Sequence, residues 1–523
     1  MNIAIDPASL HYDHFKELGR FISVDLKEDK IKSEVRKRFL DDMEKVESAG
    51  VNGLCKLFLY QHFVLTRLSW AFLVHDFCLT FAHELEEIAT KRLKAWSGLY
   101  RSADIGTLYR KREHLGLQLT NISSHYKHMQ VTKSCLLSTS QDPRIQEIFL
   151  RKQTRVNTFS RIWSGPKTLT ELKPVLEHSL RFAGQTDRTG LGSGNYVAKP
   201  SLPEIRAKMA GVLGALEEEK RVNHSSRLAQ QGVWTHWDDV RPFDFSWHNL
   251  IYGPGPKVIA FVLNSQINSV KTPDMMKLWG YIPSSQCPLC SHQKCTLHHV
   301  LVNCPFALDQ GRYNWRHDSV LLNIELVLQS FISQVNQRPD VSTVDTVRKT
   351  FRQSFVREGT QKTSKKNQGP PKENLLSKGN DWKLLVDYEH KKVVFPPHIY
   401  STSERPDVVI WSRMSRSVVL LELTCCAEEG VKAAQLRKAV RYHDLVENIN
   451  SNGWNAELVT LEIGARGLIG NSTFRSFLKL GLPPQKATTL CRTLSAVVAR
   501  CSYAICLAQD SQVWSHNTDL VVG

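Results

Sequence analysis

The sequence predicts a multidomain α+β protein, with a helical N-terminal region, a small cysteine–histidine segment and a C-terminal α/β domain built on a mixed sheet. The chain has 523 residues, more than a single hydrophobic core accommodates. Residues 1–135 carry mainly amphipathic helical patterns, such as the aromatic-rich segment 60–85. Residues 381–510 instead combine short apolar runs, typical of strands, with helical segments. Between these regions, cysteines and a histidine follow the spacing of metal ligands.

Composition and pattern divide the chain into consecutive segments. They are a helical region, 1–135; a linker region with helices, 136–285; a Cys/His knuckle with a basic–aromatic segment, 286–320; a helical connector, 321–356; a basic linker, 357–380; the α/β domain, 381–510; and a tail, 511–523. In 357–380, lysines stand among Gln, Ser, Gly and Pro, a composition that cannot form a core. We expect this linker to be a disordered tether that is able to touch phosphate.

The chain carries a strong positive charge. Lys and Arg outnumber Asp and Glu, 68 to 51, which gives a formal charge of +17 and a pI near 9.3. This excess favours a polyanionic partner, with nucleic acid first and an anionic membrane surface as the alternative. The apolar region 63–82 contains Arg67, His75 and Asp76, which argues against a membrane span.

The chain start and the cysteines indicate the compartment. The first residues show neither a basic start nor the apolar core of a signal peptide. We therefore expect an intracellular protein. Its twelve cysteines should be reduced thiols or metal ligands and not a disulfide framework.

Two acidic residues bracket a predicted β-hairpin. The apolar runs 408–411 and 418–421 flank a polar break, which indicates strand, turn and strand. Asp407 opens the first strand and Glu422 ends the second, so both carboxylates can lie at one end of the hairpin. Two carboxylates suit a hard divalent cation such as Mg²⁺, which can activate water and stabilise charge on a phosphate. The alternative is a hairpin with two solvated acids at its rim.

A lysine falls within the apolar face of the next predicted helix, residues 428–450. Positions about 100° apart gather apolar side chains into one stripe. The stripe comprises Val431, Ala434, Tyr442, Leu445, Val446 and Ile449. Lys438 lies near its middle, where an ammonium group is costly unless it has a partner. It can extend its stem to the surface or reach Asp407 and Glu422. We favour the second, because both acids just precede the helix.

A cysteine–histidine knuckle precedes the α/β domain. A CxxC turn presents two thiolates to one ion, and a downstream His and Cys complete a tetrahedral zinc site. The residues with the spacing Cys-x2-Cys-x8-His-x4-Cys are Cys287, Cys290, His299 and Cys304. Four protein ligands leave no position for substrate, so such a zinc is structural. The spacing leaves His298 open as an alternative to His299, and Cys295 as a competing ligand.

The segment after the knuckle interleaves basic and aromatic residues. Such interleaving is expected where phosphates and unstacked bases are held. The candidate nucleic-acid contacts are Arg312, Tyr313, Trp315 and Arg316. The alternative is an amphipathic helix whose aromatic side chains anchor it on the knuckle. His317 and Asp318 follow, but adjacent residues seldom face one site, so we assign them no catalytic role.

Asp407, Glu422 and Lys438 together resemble the PD-(D/E)xK nuclease constellation. Thr424 stands where that motif has its lysine, so the lysine would come from the following helix. This variant resembles the restriction-enzyme-like endonuclease of site-specific non-LTR retrotransposons. Further stretches resemble landmarks of that family, in its order: 355–359, Asp381-Trp382, Phe395-Pro396, Arg405-Pro406-Asp407, Glu422-Leu423-Thr424, Gly453-Trp454 and Glu462-Ile463-Gly464.

The resemblance covers most of the chain and implies the C-terminal part of a retrotransposon polyprotein. Residues 1–135 would be the helical thumb of a reverse transcriptase, His299 would be the zinc ligand, and the α/β domain would be restriction-endonuclease-like. Asp407 and Glu422 would hold catalytic Mg²⁺. Lys438 would orient water or neutralise developing charge, with Arg441 as its substitute. Arg405 and Arg441 would also contact nucleic acid.

The implied activity is metal-dependent nicking of DNA, which in a complete element primes reverse transcription. The implied partners are DNA and the element RNA, without a membrane, and the implied location is the nucleus. We expect no polymerase activity, because Phe39-Leu40-Asp41-Asp42 matches the short polymerase pattern only within a charged run, with 38 residues before it. An intact reverse transcriptase would have to supply the palm in trans. The competing function is a catalytically silent zinc-knuckle relic that binds DNA or RNA, which Thr424 leaves open.

Overall fold

The computed structural model describes two compact units of the chain, Met1–Leu228 and Ala229–Gly523. The described residues are 14–17, 20–23, 29–138, 140–147, 202–338, 374–388 and 393–515. The landmark 355–359 and most of the predicted linker 357–380 lie outside them.

The first unit is helical, with a short N-terminal hairpin that the sequence did not predict. Strands β1 His14–Glu17 and β2 Arg20–Ser23 pair antiparallel. The helices are α1 Asp29–Ser48, α2 Gly53–Leu59, α3 Leu65–Val74, α4 Leu79–Ser97, α5 Gly106–Tyr109, α6 Ile122–Ser138 and α7 Leu202–Ser226. A π-helical turn, Tyr60–Val64, joins α2 to α3, and a 3-10 turn, Arg112–His114, follows α5.

The aromatic segment 60–85 is not one helix. Helix α3 ends where His75 takes an extended conformation, and α4 starts four residues later at Leu79. Aromatic side chains of different helices pack together near this break: the ring of Phe72 on α3 lies edge-on against Tyr126 on α6, with centroids 5.2 Å apart. The stretch 39–42, with its polymerase-like pattern, lies inside helix α1 and not at a turn between strands.

The second unit is built on a six-stranded mixed sheet. Its strands are β3 Val240–Arg241, β4 Lys383–Val386, β5 Val408–Ser412, β6 Ser417–Cys426, β7 Asn455–Gly464 and β8 Ile469–Gly470. Their spatial order is β3-β8-β7-β6-β5-β4, parallel between β6 and β7 and antiparallel elsewhere. The predicted mixed sheet is confirmed. Its edge strand β3 comes from the region that the sequence assigned to the linker 136–285.

Helices cover both faces of this sheet. The helices of the second unit are α8 Trp247–Tyr252, α9 Pro256–Gln266, α10 Pro273–Leu278, α11 Pro305–Asp309, α12 Arg312–Asn336, α13 Val431–Arg441, α14 His443–Ser451, α15 Asn471–Leu480 and α16 Pro484–Leu507. Shorter turns are the 3-10 turns Val233–His236, Leu375–Lys378 and Glu428–Gly430 and the π-helical turn His299–Asn303. Helix α12 runs through residue 320, so the predicted segment boundary at that residue does not coincide with the end of an element.

Strand β6 separates two apolar cores. Its odd-numbered residues, such as Val419 and Leu421, pack in a core with helices α12, α15 and α16. Its even-numbered residues Val418 and Leu420 pack in a second core with Tyr442 and helix α14. Successive side chains of a strand point to opposite faces, so β6 is apolar on both sides. Any even-numbered polar residue of β6 therefore faces the layer of α13 and α14.

Two helical stretches, Gly53–Val74 and Pro484–Leu507, are long and apolar enough to cross a membrane by length and composition alone. The second is helix α16, whose residues Leu494 and Val498 are fully buried in the core of the second unit. Core helices share this composition, so the finding is weak support for a membrane segment.

Candidate functional site

Strand register places the two predicted acids opposite each other. Val408 of β5 pairs with Leu421 of β6, so the next position outward brings Asp407 to Glu422. Directly opposite residues of an antiparallel pair lie on the same face of the sheet. A hydrogen bond also joins the two residues, because the main-chain Asp407 N donates to the side-chain Glu422 Oε2 at 3.3 Å.

Glu422 is a buried carboxylate with a lysine partner. Its side chain is only 3% exposed, and Lys438 Nζ donates a hydrogen bond to its Oε1. Burial and the neighbouring charge of Asp407 raise the pKa of Glu422, while the ammonium group of Lys438 opposes that rise. Of the two acids that Lys438 was predicted to reach, the structure thus shows its contact with Glu422.

Helix geometry explains how Lys438 reaches the sheet. The predicted helix 428–450 is divided at Tyr442 into α13 and α14, yet Val431, Ala434 and Tyr442 are buried as the stripe required. The side chain of Lys438 follows Val431 and Ala434 on this stripe and is 24% exposed, and its ammonium group meets Glu422. Thr424 lies on the same face of β6, and its buried Oγ1 has no hydrogen-bond partner among the described residues.

Asp407 is held by groups that the sequence analysis did not assign. Its Oδ2 accepts a hydrogen bond of 2.7 Å from Leu423 N and lies 3.4 Å from His317 Nε2. The other ring nitrogen of His317, Nδ1, is 3.1 Å from Asp318 Oδ1. Burial disfavours the charged imidazole, but hydrogen bonds to Asp318 and Asp407 outweigh it and raise the pKa of His317. The imidazole thus bridges two carboxylates.

These side chains border an open, polar cleft of about 580 Å³. It is lined by Asn314, His317, Asp318, Asp387, Ser403, Glu404, Arg405, Asp407 and Arg441. Of the two arginines predicted to contact nucleic acid here, Arg405 binds both carboxylate oxygens of Asp387 at 2.6 Å. Arg441 is exposed on the last turn of α13. Of the two acids, Asp407 therefore borders the open cleft, and Glu422 lies buried beside it.

The four knuckle residues converge on one point. Their ligand atoms all lie within 4.8 Å of one another, and the residues are Cys287, Cys290, His299 and Cys304. The Cys287 and Cys304 sulfurs are 4.0 Å apart, and Cys290 Sγ is 3.3 Å from His299 Nε2. Two thiolates at about 2.3 Å from a tetrahedral zinc ion lie about 3.8 Å apart, so this donor set fits zinc. We refer to these residues as the Cys/His cluster.

The structure decides between the ligand alternatives. The ring of His298 turns away from the cluster, with Nδ1 3.0 Å from Glu429 Oε1. Cys295 is buried beside the cluster but is not one of the four converging residues. Its main chain instead closes the knuckle loop, because Cys295 N donates a hydrogen bond of 2.7 Å to Ser285 O. His299 is the histidine of the cluster.

The two arginines that follow the cluster are buried and donate hydrogen bonds to oxygen atoms of the second unit. Arg312 is 0% exposed, and its Nη atoms donate to Ala508 O at 2.5 Å and Ser511 O at 2.6 Å. Arg316 is 1% exposed, and it donates to Leu301 O at 2.9 Å and Ser502 Oγ at 3.0 Å. A guanidinium group that is buried and hydrogen-bonded in this way has no open face for a phosphate. Their predicted contact with nucleic acid gains no support from this placement.

The aromatic residues of the same segment also anchor helix α12. Tyr313 Oη accepts a hydrogen bond of 3.0 Å from Cys304 N and donates one of 3.0 Å to Val300 O. The ring of Trp315 packs edge-to-face against Trp514, with centroids 5.4 Å apart. Tyr313 thus anchors the helix on the knuckle, as the predicted alternative required, whereas Trp315 packs against the segment that follows helix α16.

The comparisons with known proteins concern the segment that contains the Cys/His cluster. Residues 225–310 match the family model described as zinc-binding in reverse transcriptase. The matched range contains all four residues of the cluster. A comparison with curated proteins gives no match. The match and the converging ligands agree on a structural zinc ion. Together they support a retrotransposon-derived protein whose central segment binds zinc.

Proposed function

We propose that this protein is a metal-dependent DNA endonuclease with its active site at Asp407, Glu422 and Lys438. The observation that carries the proposal is the hydrogen bond from Lys438 to Glu422, directly beside Asp407 at the border of an open cleft. Charge-paired groups with perturbed pKa values beside a cleft are frequent at functional sites, and Glu422 paired with Lys438 is such a group.

The donor set suits a magnesium ion. Glu422 and Asp407 are neighbouring carboxylates whose mutual repulsion contributes to the raised pKa of Glu422. Among the described residues, Asp407 Oδ1 accepts no hydrogen bond, whereas Oδ2 is engaged by Leu423 and His317. Asp407 and Glu422 would hold Mg²⁺, which when bound supplies charge stabilisation at phosphate and lowers the pKa of water.

Each side chain of the site has a separate task. Lys438 orients a water molecule or neutralises negative charge on the phosphate, because its ammonium group lies at the buried acid. Arg441 is exposed at the cleft, one turn of α13 beyond Lys438, where it can bind the DNA backbone. Arg405 contributes indirectly, since its ion pair with Asp387 shapes the cleft wall.

The biological role proposed with this activity is DNA nicking by a retrotransposon-derived protein in the nucleus. The supports are the zinc-binding match at residues 225–310 and the net charge of +17, which favours DNA and RNA as partners. The helical region 1–135 would serve as a reverse-transcriptase thumb. The DNA end exposed at the nick would then prime a reverse transcriptase.

A nicking assay tests the proposal. Zinc-loaded protein is incubated with supercoiled and branched DNA in Mg²⁺, beside Asp407→Asn. Asp444→Asn, which changes an exposed aspartate on helix α14, is the matched control. We expect nicking by the wild type and by Asp444→Asn only. Nicking that survives Asp407→Asn contradicts the assignment. No nicking by any protein, with DNA binding retained, favours a catalytically silent zinc-knuckle binding protein.

A further inference from the structure

We propose that His317 is a positioning residue of the carboxylate site, which fixes Asp407 so that its Oδ1 is presented to a divalent cation. The inference deepens the proposed endonuclease function and rests on it. It concerns a residue that lies 90 positions before Asp407 in the chain and on a different element.

The contacts of Asp407 define what His317 does. Oδ2 of Asp407 is approached from two sides, by Leu423 N at 2.7 Å and by His317 Nε2 at 3.4 Å. Two donors on one oxygen set both the position and the rotation of the carboxylate. Asp318 Oδ1, 3.1 Å from Nδ1, fixes the imidazole ring in turn. The resulting chain of contacts is Asp318, His317, Asp407.

Helix α12 carries His317, and hydrogen bonds to the segment of the Cys/His cluster hold the start of this helix. Just before His317, Arg316 donates to Leu301 O at 2.9 Å, within the π-helical turn that carries His299. One turn earlier, Tyr313 Oη binds the main chain of Cys304 and Val300. The helix therefore starts from the segment that holds the Cys/His cluster. A shift of that segment would move His317 relative to Asp407.

The test compares His317→Ala with His317→Gln, whose side-chain amide can still donate to Asp407. His443→Ala, at an exposed histidine on helix α14, is the matched control. For each full-length, zinc-loaded protein, Mn²⁺ affinity is measured by calorimetry beside Asp407→Asn. Zinc content, melting temperature and the metal dependence of nicking are measured on the same samples.

We expect His317→Ala to weaken Mn²⁺ binding about tenfold or more. Removing a residue that hydrogen-bonds to a metal ligand has an effect of this size in other metalloproteins. Half-maximal nicking should need correspondingly more metal. Zinc content should not change, and His317→Gln should recover part of the affinity. If His317→Ala does not fold, the intermediate affinity of His317→Gln carries the test.

The outcomes separate the two proposals. Wild-type Mn²⁺ affinity in His317→Ala and His317→Gln overturns the positioning role, even if nicking depends on Asp407. Weakened Mn²⁺ binding without nicking by any protein retains the positioning role and contradicts the endonuclease. Absence of Mn²⁺ binding that depends on Asp407 overturns both.

Discussion

Lys438 of helix α13 donates a hydrogen bond to Glu422 of strand β6, although 16 positions separate the two residues in the chain. The bond follows from the layer order, because Glu422 and Thr424 lie on the face of β6 that α13 and α14 cover. A lysine at position 424, where this chain has Thr424, would lie on the same face of β6 and so approach the carboxylate that Lys438 binds. In the PD-(D/E)xK motif that these residues resemble, position 424 would hold the lysine. The shared face of β6 explains how a lysine on the following helix can take its place.

Loss of this lysine should abolish most DNA nicking. We expect Lys438→Ala to lower the single-turnover nicking rate by about 10²- to 10⁴-fold, the usual contribution of a group that orients water or transfers protons. Lys432→Ala removes an exposed lysine on the same helix and should leave the rate unchanged. A smaller than threefold effect of Lys438→Ala would assign this lysine to folding alone.

Moving the lysine back onto the strand should restore activity in part. The double variant Lys438→Ala, Thr424→Lys places an ammonium group on the same face, where Thr424 Oγ1 has no described partner to lose. We expect its nicking rate to exceed that of Lys438→Ala by at least about tenfold. Thr424→Lys with Lys438 retained should be slower than the wild type, since two ammonium groups would then compete for Glu422. An equal rate for the single and double variants would contradict a shared position.

A buried ion pair should contribute strongly to the stability of the second unit. Arg466 Nη1 binds Glu428 Oε2 at 2.6 Å, with both side chains at most 3% exposed, and Arg466 Nε donates to Ser265 O. In Glu428→Gln the buried Arg466 would keep only the longer, 3.6 Å ion pair with the half-exposed Glu429, so the free energy of unfolding should fall by about 3 kcal/mol. Urea unfolding measures this, with the exposed Glu447→Gln as control. A loss below about 1 kcal/mol would show that solvent reaches Arg466.

Zinc content should follow the four converging ligands. Wild-type protein should contain about one zinc ion, and Cys287→Ser with Cys290→Ser should lose it. Elemental analysis of purified protein provides the measurement. Cys295→Ser and His298→Ala should keep the metal, because neither residue belongs to the cluster. Full zinc content in the double serine variant, or loss of zinc in Cys295→Ser, would assign the ligands differently.

The first unit should lose stability in acid through His125. Burial, assisted by the charge of His128, lowers the pKa of His125 to about 4 in the folded chain. An unfolded histidine has a pKa near 6.5, so between these values the unfolded state binds more protons. Stability should therefore fall as the pH drops from about 6.5 towards 4, by up to about 1.4 kcal/mol per pH unit. Thermal unfolding of His125→Gln should show a shallower pH dependence than the wild type. Parallel pH profiles would contradict the buried neutral imidazole.

The site was predictable where its residues are close in sequence. Asp407 and Glu422 sit at the ends of two apolar runs, and Lys438 interrupts an apolar stripe, so each has a local signal. The alternation of β6 and the hairpin register follow from the same local pattern. The division of the predicted helix at Tyr442 did not show in the sequence, because the stripe continues through the break.

Residues whose partners lie far away in the chain were missed, or their predicted role gains no support from the structure. His317 carries no signal of its own, since its partner Asp407 follows 90 positions later and its neighbour Asp318 suggested only a local pair. Arg312 and Arg316 have the sequence pattern of phosphate-binding residues. Whether a guanidinium group meets a phosphate or a main-chain carbonyl depends on the fold around it. Here helix α16, the segment after it and Leu301 supply the partners.

The most direct measurement of the central claim is the Mg²⁺-dependent nicking rate of zinc-loaded wild type compared with Asp407→Asn. Both proteins should have the same zinc content and melting temperature, so that the comparison reports the site and not the fold. We predict that supercoiled DNA is nicked by the wild type and that Asp407→Asn is slower by at least about a hundredfold. Equal rates for the two proteins would contradict an active site at Asp407 and Glu422.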